Sequence, residues 1–506
     1  MDNADNNVST EAGNTPRTPL DQPPSTAQKW LFLAVVSCGL FLITVDNSVL
    51  YTALPVLREQ LHTTELQGLW IINAYPLVLS ALLLGTGTLG DRVGHRRMFT
   101  VGLIIFGISS MAAAFAPSAW ALVAARAFLG LGAATMMPAT LALLRETFRN
   151  PRELATAIGI WGSTATIGAA AGPVVGGFLL EHFWWGSVFL INIPVVALAL
   201  IGTAIFAPPN VTRPDVHWDL LSSIYAMLTM LGLVILIKEL AGNRSLTVLV
   251  AAIACGLLGA GLFRRRQARI PESPIDFSVF RSRMFTGGVL AAAFGMFVLA
   301  GTELMVTQRF QMSAGYTPLQ AGLLVAIAAV ASFPLSIIGG MTLHRVGFRT
   351  LISGGFLITL VGVIGIYAGV AADAFALTVI GLILLGAGAG ATMSVSSTAI
   401  IGSAPSEKAG MASAMEEVSY EFGTLLTVAI TGSLLPMFYA WFTPVNADIS
   451  LTDALHTQSL IDGARAGLDS AFLATLVVLI FFALIAAIAT AVAFRGNPKQ
   501  TAYAYE

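Results

Sequence analysis

Six ionisable residues stand inside stretches that are otherwise almost free of charge: Asp46, Arg126, Glu303, Glu416, Glu417 and Glu421. A charge at the centre of a bilayer costs roughly 3 kcal/mol on insertion scales, so such residues face a protein interior or a wet cavity and serve a pathway or relay. Glu417 and Glu421 are four apart and share a helix face, while Glu416 lies about 100° around from Glu417. Carboxylates so spaced and withdrawn from water can exchange protons near neutral pH or hold an organic cation. Arg126 is expected to pair with a carboxylate or polar group and to respond when that group is protonated. Lys238 and Glu239 read instead as an interfacial ion pair.

The elements that carry these groups are membrane helices. Hydrophobic residues make up 56% of the chain and charged ones 10%, with a net charge of −1, against a usual charged share of roughly a quarter in soluble domains. Apolar spans long enough to cross a bilayer recur near 31–54, 68–90, 98–116, 119–144, 154–180, 186–206, 219–238, 246–263, 285–308, 318–342, 350–370, 375–402, 409–439 and 470–494. Hydrocarbon offers no partner to a free backbone amide, so runs this long are helices and the fold class is all-α integral membrane. Cys38 and Cys255 are far apart in sequence and the six histidines are scattered, so neither a disulfide nor a metal site is expected. A near-neutral balance points to no nucleic-acid partner.

Basic residues set the orientation. Arg92, Arg96 and Arg97, then Arg145, Arg149 and Arg152, then Arg264, Arg265, Arg266, Arg269, Arg281 and Arg283 all fall on one side. The opposite loops hold chiefly Arg58, Arg244 and Arg465. The positive-inside rule then places both termini in the cytoplasm.

The chain also repeats itself at an offset of about 250 residues. RVGHR from Arg92 returns as RVGFR from Arg345, TELQ from Thr64 as TPLQ from Thr317, and Pro151, Glu153 and Ala155 as Pro405, Glu407 and Ala409. Spans one to six match spans nine to fourteen, and seven and eight are an inserted pair. The expected organisation is a disordered cytoplasmic tail at 1–28, a six-helix bundle at 29–207, the inserted pair at 208–264 and a basic cytoplasmic linker at 265–284. A second six-helix bundle follows at 285–494, with an extracytoplasmic loop at 440–468, and then a cytoplasmic tail at 495–506. The repeat register sets Glu416 and Glu417 opposite Gly162 and Ser163, and brings Glu303 within about a turn of the counterpart of Asp46. Parallel halves with a site at their interface are a recurring transporter design.

Four local patterns carry a resemblance. GTLGDRVGHRR ends the second span at residues 87–97, and Arg126 is followed by LGLGAA in the fourth. Gly159, Gly168, Gly172, Pro173, Gly176 and Gly177 punctuate the fifth, and Asp46 precedes NSVLYTALP in the first. Together with MEEVSYEFG from Met415, they resemble the major facilitator superfamily, specifically its fourteen-helix drug:proton antiporter branch. The resemblance covers the whole membrane part. His95 departs from it, standing where the family loop usually has Arg or Lys, and so does Ser48, where Thr is common. Glu303 lies outside the shared pattern.

The resemblance implies a major facilitator fold, two pseudo-symmetric six-helix bundles plus two inserted helices, and a multidrug exporter in the bacterial cytoplasmic membrane. It implies proton coupling through Asp46, Arg126, Glu417 and Glu421, with Glu303, Glu416 and Tyr420 toward the substrate. Asp46 could otherwise be a buried acid that only orders its helix. Gly87, Asp91, Arg92, Gly94 and Arg96 would form a cytoplasmic gating loop, in which Gly94 permits a tight turn and Asp91 accepts hydrogen bonds from nearby arginines or a helix N-terminus. The glycines of the fifth span would form a seam close to a partner helix, bent at Pro173. The expected activity is export of lipophilic organic cations such as quaternary ammonium compounds, biguanides, viologens and dyes, driven by the proton gradient without a cofactor, by a functional monomer. Export of an endogenous metabolite or natural product is the alternative. A membrane enzyme would need a nucleophile–base pair or a metal-binding acid cluster, and no span shows one.

Overall fold

The computed structural model describes residues 25–214, 218–241, 245–270, 277–403, 409–443 and 461–495. Among them are fourteen helices long and apolar enough to cross a membrane. In chain order they are α1 (Thr26–Gln60), α2 (Glu65–Val93), α3 (His95–Ala114), α4 (Ala119–Thr147), α5 (Pro151–His182), α6 (Ser187–Phe206, interrupted at Ile191) and α7 (Leu220–Ala241). There follow α8 (Leu246–Gln267), α9 (Arg283–Met312), α10 (Pro318–Val346), α11 (Phe348–Ala371), α12 (Phe375–Gly402), α13 (Ala409–Phe442) and α14 (Ile461–Ala493). A 3-10 turn at Phe277–Arg281 leads into α9.

The internal repeat has a physical basis in helix ends. Thr64 and Gln67 form a capping box at the start of α2: the Thr64 hydroxyl accepts from the Gln67 N–H at 3.3 Å, and the Gln67 side chain accepts from the Thr64 N–H at 2.9 Å. Thr317 and Gln320 do the same for α10 at 3.2 and 3.1 Å. At the other ends of these helices Gly94 and Gly347 adopt φ of +101° and +84°. That backbone region favours glycine and reverses the chain in one residue.

Several helices run past their apolar spans because their polar ends find partners. Arg266, in the last turn of α8, donates to Asp219 at 2.7 Å. Arg309 near the end of α9 binds Asp469 through Nε and Nη2 at 3.1 and 3.4 Å, which anchors the first turns of α14. The loop expected at 440–468 is accordingly shorter, with helix to Phe442 and again from Ile461. Helix α1 begins at Thr26, capped by Ser25, so the end of the expected tail is helical. The basic linker is likewise helical up to Gln267 and again from Arg283. The expected pair of Lys238 and Glu239 does not form; Glu239 is buried and accepts from the Ser245 N–H at 2.6 Å. Residues 1–24, 271–276, 444–460 and 496–506, with Arg244, Pro405 and Glu407, lie outside the described residues.

One apolar core, from Phe32 on α1 to Ala199 on α6, unites the first six helices. A second joins residues of α9 to α14 and reaches across to Tyr51, Leu54 and Ile72. Helices α7 and α8 pack on each other, where Gly232 lies against the backbone of Gly256 and Ala252. Helix α7 then packs on α2 and α13, while α8 presents Leu246, Leu257 and Leu258 outward, 61% to 72% exposed. Hydrocarbon, not water, is the solvent such a face fits.

The two halves touch away from the arginine-rich loops. Gly177 of α5 packs on the backbone of Pro318 and Leu319, Gly322 of α10 on that of Pro173, and Gln311 donates to the Thr52 carbonyl at 3.0 Å. Leu69 and Leu77 of α2 join Leu425 and Ala429 of α13. Toward the arginine-rich face, Gly159 and Gly162 of α5 look onto open space. The bundles are thus closed at one membrane face and parted at the other.

Candidate transport site

Asp46 lies at the middle of α1 with no exposed surface. One carboxylate oxygen accepts from Arg126 Nη1 of α4, and the other from Asn192 Nδ2 of α6 at 3.0 Å. Asn192 follows the interruption at Ile191 and also donates to the Ser110 hydroxyl of α3 at 3.1 Å. The Arg126 Nε donates to the Ile71 carbonyl at 3.2 Å, and its guanidinium lies 4.5 Å from the centroid of the Tyr75 ring. Its Nη2 has no hydrogen-bond partner among the described residues. The pair and its partners are therefore held inside the first bundle by five helices, α1, α2, α3, α4 and α6.

Arg126 thus finds the carboxylate partner expected of it. Asn192, Tyr75 and Tyr51 were not singled out from the sequence. A lone Asn within the apolar run of α6 was the available signal for the first, because a buried amide must find partners. The tyrosines gave no signal distinct from apolar packing.

The acids of the second bundle are arranged differently. Glu416 accepts from the Tyr420 hydroxyl at 2.9 Å and from Ser397 of α12. Glu421 is buried, and its Oε2 has no partner. Glu303 on α9 and Glu417 are partly exposed and make no hydrogen bond among the described residues. Glu417 lies within electrostatic range of both Glu416 and Glu421. Tyr51, whose buried hydroxyl is also unpartnered, lies within range of Glu303, Glu421 and Arg126 and so stands between the halves. Asp46 is neutralised by Arg126, whereas no salt bridge compensates the second bundle's four glutamates among the described residues.

The glycine seam packs on two helices. A Cβ at Gly168, Gly172 or Gly176 would land on Thr44, Ser48 or Val49 of α1, and one at Gly177 on α10. Gly159 is not part of this close approach, since nothing lies within 4 Å of its place for a Cβ. Pro173 lies within α5, its carbonyl against Gly322.

In the expected gating loop, Asp91 does not bind an arginine side chain; it pairs with His95, Nε2 to Oδ1, at 3.3 Å. The two flank the chain reversal at Gly94, which folds the imidazole at the start of α3 back onto the carboxylate at the end of α2. Asp91 lies beyond the apolar span of α2. The hydrogen bond from His95 lowers its pKa below the usual carboxyl value, against partial burial and with help from the charges of His95 and Arg213. Arg92 is exposed, Arg96 reaches the end of α6, and a Cβ on Gly87 would stand 3.8 Å from Pro138.

Fourteen apolar helices in two related bundles, parted toward one face and carrying acids that form no salt bridge among the described residues, define a polytopic membrane transporter. Residues 36–426 match the family model of the Major Facilitator Superfamily, and the chain belongs to that superfamily. It is 35% identical to the multidrug efflux pump LfrA of Mycolicibacterium smegmatis, covering 94% of this chain and 99% of that protein. It is 36% identical to the methyl viologen resistance protein SmvA of Salmonella typhimurium, covering 86% of each. Among solved structures it resembles a bacterial homologue of the human lysosomal transporter Spinster in an inward-facing, occupied conformation. There the TM-score is 0.65 at 16% identity, over 93% of this chain and 98% of that one. It is a transporter, not an enzyme.

Proposed function

We propose that this chain exports lipophilic organic cations in exchange for protons across the bacterial cytoplasmic membrane, with both termini cytoplasmic and the monomer as the working unit. The observation that carries the reading is the imbalance between the halves: Asp46 is neutralised by Arg126, whereas among the described residues Glu303, Glu417 and Glu421 form no salt bridge, and Glu421 Oε2 has no hydrogen-bond partner. A carboxylate without a counter-ion in a low-dielectric cavity attracts either a proton or an organic cation. Competition for the same charge is then a sufficient coupling mechanism. The cation leaves when the acid is protonated, and the proton leaves when a cation binds. Two carboxylates on separate helices, Glu303 on α9 and Glu417 or Glu421 on α13, suit dications such as viologens and biguanides, with Glu416 held ready by Tyr420. The arginine-rich face toward which the bundles part is read as cytoplasmic, which opens the cavity to the compartment from which substrate is taken. Relatives described as multidrug efflux and methyl viologen resistance proteins support this substrate class.

The test uses purified protein in liposomes with an imposed pH gradient. A dicationic antiseptic should be transported and should release protons on binding. Absence of both transport and proton release would defeat the reading. Among Asp46→Asn, Glu303→Gln, Glu417→Gln and Glu421→Gln, retention of full coupled transport by all four would defeat the site assignment. A loss confined to dications in Glu303→Gln would place that residue in recognition and not in coupling. Export of a natural product is favoured by one relative, the tetracenomycin C resistance and export protein of Streptomyces glaucescens, 30% identical over 85% of this chain and 80% of that protein. Competition between tetracenomycin C and the antiseptic in the same liposomes separates the two readings.

A further inference from the structure

The turn between α2 and α3 is covered by a segment that no motif marks. Entering α3 leaves backbone donors of its first turn free, and leaving α2 frees carbonyls of its last. The side chain of Asn210, on the chain after α6, satisfies one of each: its Oδ1 accepts from the Arg97 N–H at 3.1 Å and its Nδ2 donates to the Val93 carbonyl at 2.9 Å. Its amide occupies the place where a Cβ on Gly94 would stand. On one side of it, Arg96 donates to the carbonyls of Ala204, Ala207 and Pro208 at 3.4 to 3.5 Å, a favourable place for a cation at a helix C-terminus. On the other side, the Arg213 N–H donates to the Asp91 carbonyl at 2.9 Å. Residues 204–213 thus lie over the whole turn.

That segment leads into the inserted pair, which grips the same helix again. Asp219 is buried, accepts from Ser222 and from Arg266 Nε, and ties the start of α7 to the end of α8. Gln267 donates to the Ser222 hydroxyl at 3.0 Å, and Ser223 fills the place of a Cβ on Gly85 of α2. The pair also touches the second bundle: Phe263 of α8 packs against the cluster that holds Phe285, Ala412 and Met415, and residues of α7 cluster with Leu425 and Ala429. One polar strap therefore joins the gating loop to a helix pair in contact with both halves.

We infer that Asn210 is a positioning residue of the gating loop, strapping the α2–α3 turn to the inserted pair and holding the loop in the form seen when the arginine-rich faces are apart. The inserted helices thereby couple the separation of the halves to the loop. The inference rests on transport by alternating access and is indifferent to substrate and coupling ion.

The test measures the distance between spin labels at positions 149 and 349, both exposed at the arginine-rich face, in full-length protein lacking Cys38 and Cys255 and reconstituted in nanodiscs. Each net hydrogen bond lost should shift the ratio of parted to closed states about fivefold. Asn210→Ala, which loses both bonds, should therefore favour the closed state about twenty-five-fold, while Asn210→Asp, which keeps the acceptor for Arg97 and loses the donor to Val93, should shift it about fivefold. The thermal unfolding midpoint should move by only a few degrees. If Asn210→Ala does not fold, the Asn210→Asp distances decide alone. Unchanged distance populations in the folded variants, or a fall in unfolding midpoint without a population shift, would overturn the inference. Failure of antiseptic transport with the shift intact would count against the proposed substrate and leave the strap standing.

Discussion

The pair of Asp46 and Arg126 permits a quantitative test, because its surroundings are fully enclosed. Asp46→Ala leaves Arg126 buried with one backbone acceptor, Ile71, and the Tyr75 ring. An uncompensated guanidinium in such a site costs about 3–5 kcal/mol. Arg126→Met leaves Asp46 with the amide of Asn192 and the option of taking up a proton, so the loss is smaller, about 1–3 kcal/mol. The double variant buries neither charge and loses mainly packing, about 1–3 kcal/mol. The singles therefore sum to more than the double, and the cycle should give a coupling energy of about 3–5 kcal/mol, since the Arg126→Met and double losses nearly cancel. Unfolding of the four proteins in one detergent at pH 7 measures it. Additivity within about 0.5 kcal/mol would refute the argument that the ion pair, and not each residue's separate packing, holds these helices. The folded double variant should also lose substrate-induced proton release. Coupled transport at the normal rate would reduce the pair to a structural role.

Other consequences are more local. Gly172→Val should abolish transport and destabilise the protein by about 1–3 kcal/mol, because its Cβ would displace Ser48 on α1, whereas Gly159→Ala faces open space and should leave the unfolding midpoint unchanged. Thermal shift and liposome transport of the two variants check the contrast. Asp91 has a depressed native pKa, so its stabilising contribution is present above the unfolded carboxyl value of about 4 and is lost as pH falls through the native value. The stability difference between wild type and Asp91→Asn should therefore close on acidification, and at 43% side-chain exposure it should stay below about 1 kcal/mol at pH 7. Gly232→Leu should push α7 from α8, since a Cβ there meets the backbone of Gly256 and Ala252. A fall in cross-linking yield between cysteines placed at positions 229 and 256 would report it.

The helices were legible because hydrocarbon leaves the backbone no alternative, and the halves were legible because the repeated residues are themselves helix ends. Thr64 with Gln67 and Thr317 with Gln320 recur as capping boxes, and Gly94 and Gly347 recur because only glycine turns so readily at positive φ. Apolar length is a poorer guide to where helices stop. Asp219 with Arg266 and Asp469 with Arg309 extend them beyond the hydrocarbon by pairing charges that hydropathy counts as breaks. In the site, the acids announced themselves by their cost, but their division into a neutralised pair and an unpaired set did not. That division depends on which helix stands across from each acid. Arg126 could have faced any of them, and Asn192 fixes Asp46 from a helix 146 residues further along the chain. The strap over Gly94 was invisible for the same reason: Asn210 lies in a polar linker where an amide is unremarkable until the turn it covers has been placed beneath it. What a sequence exposes most readily is the residue that is expensive where it stands. Inexpensive residues such as Asn210 and Tyr51 acquire a role only from geometry, and variants at such positions separate a transport cycle from a stable bundle more cleanly than removal of a buried charge.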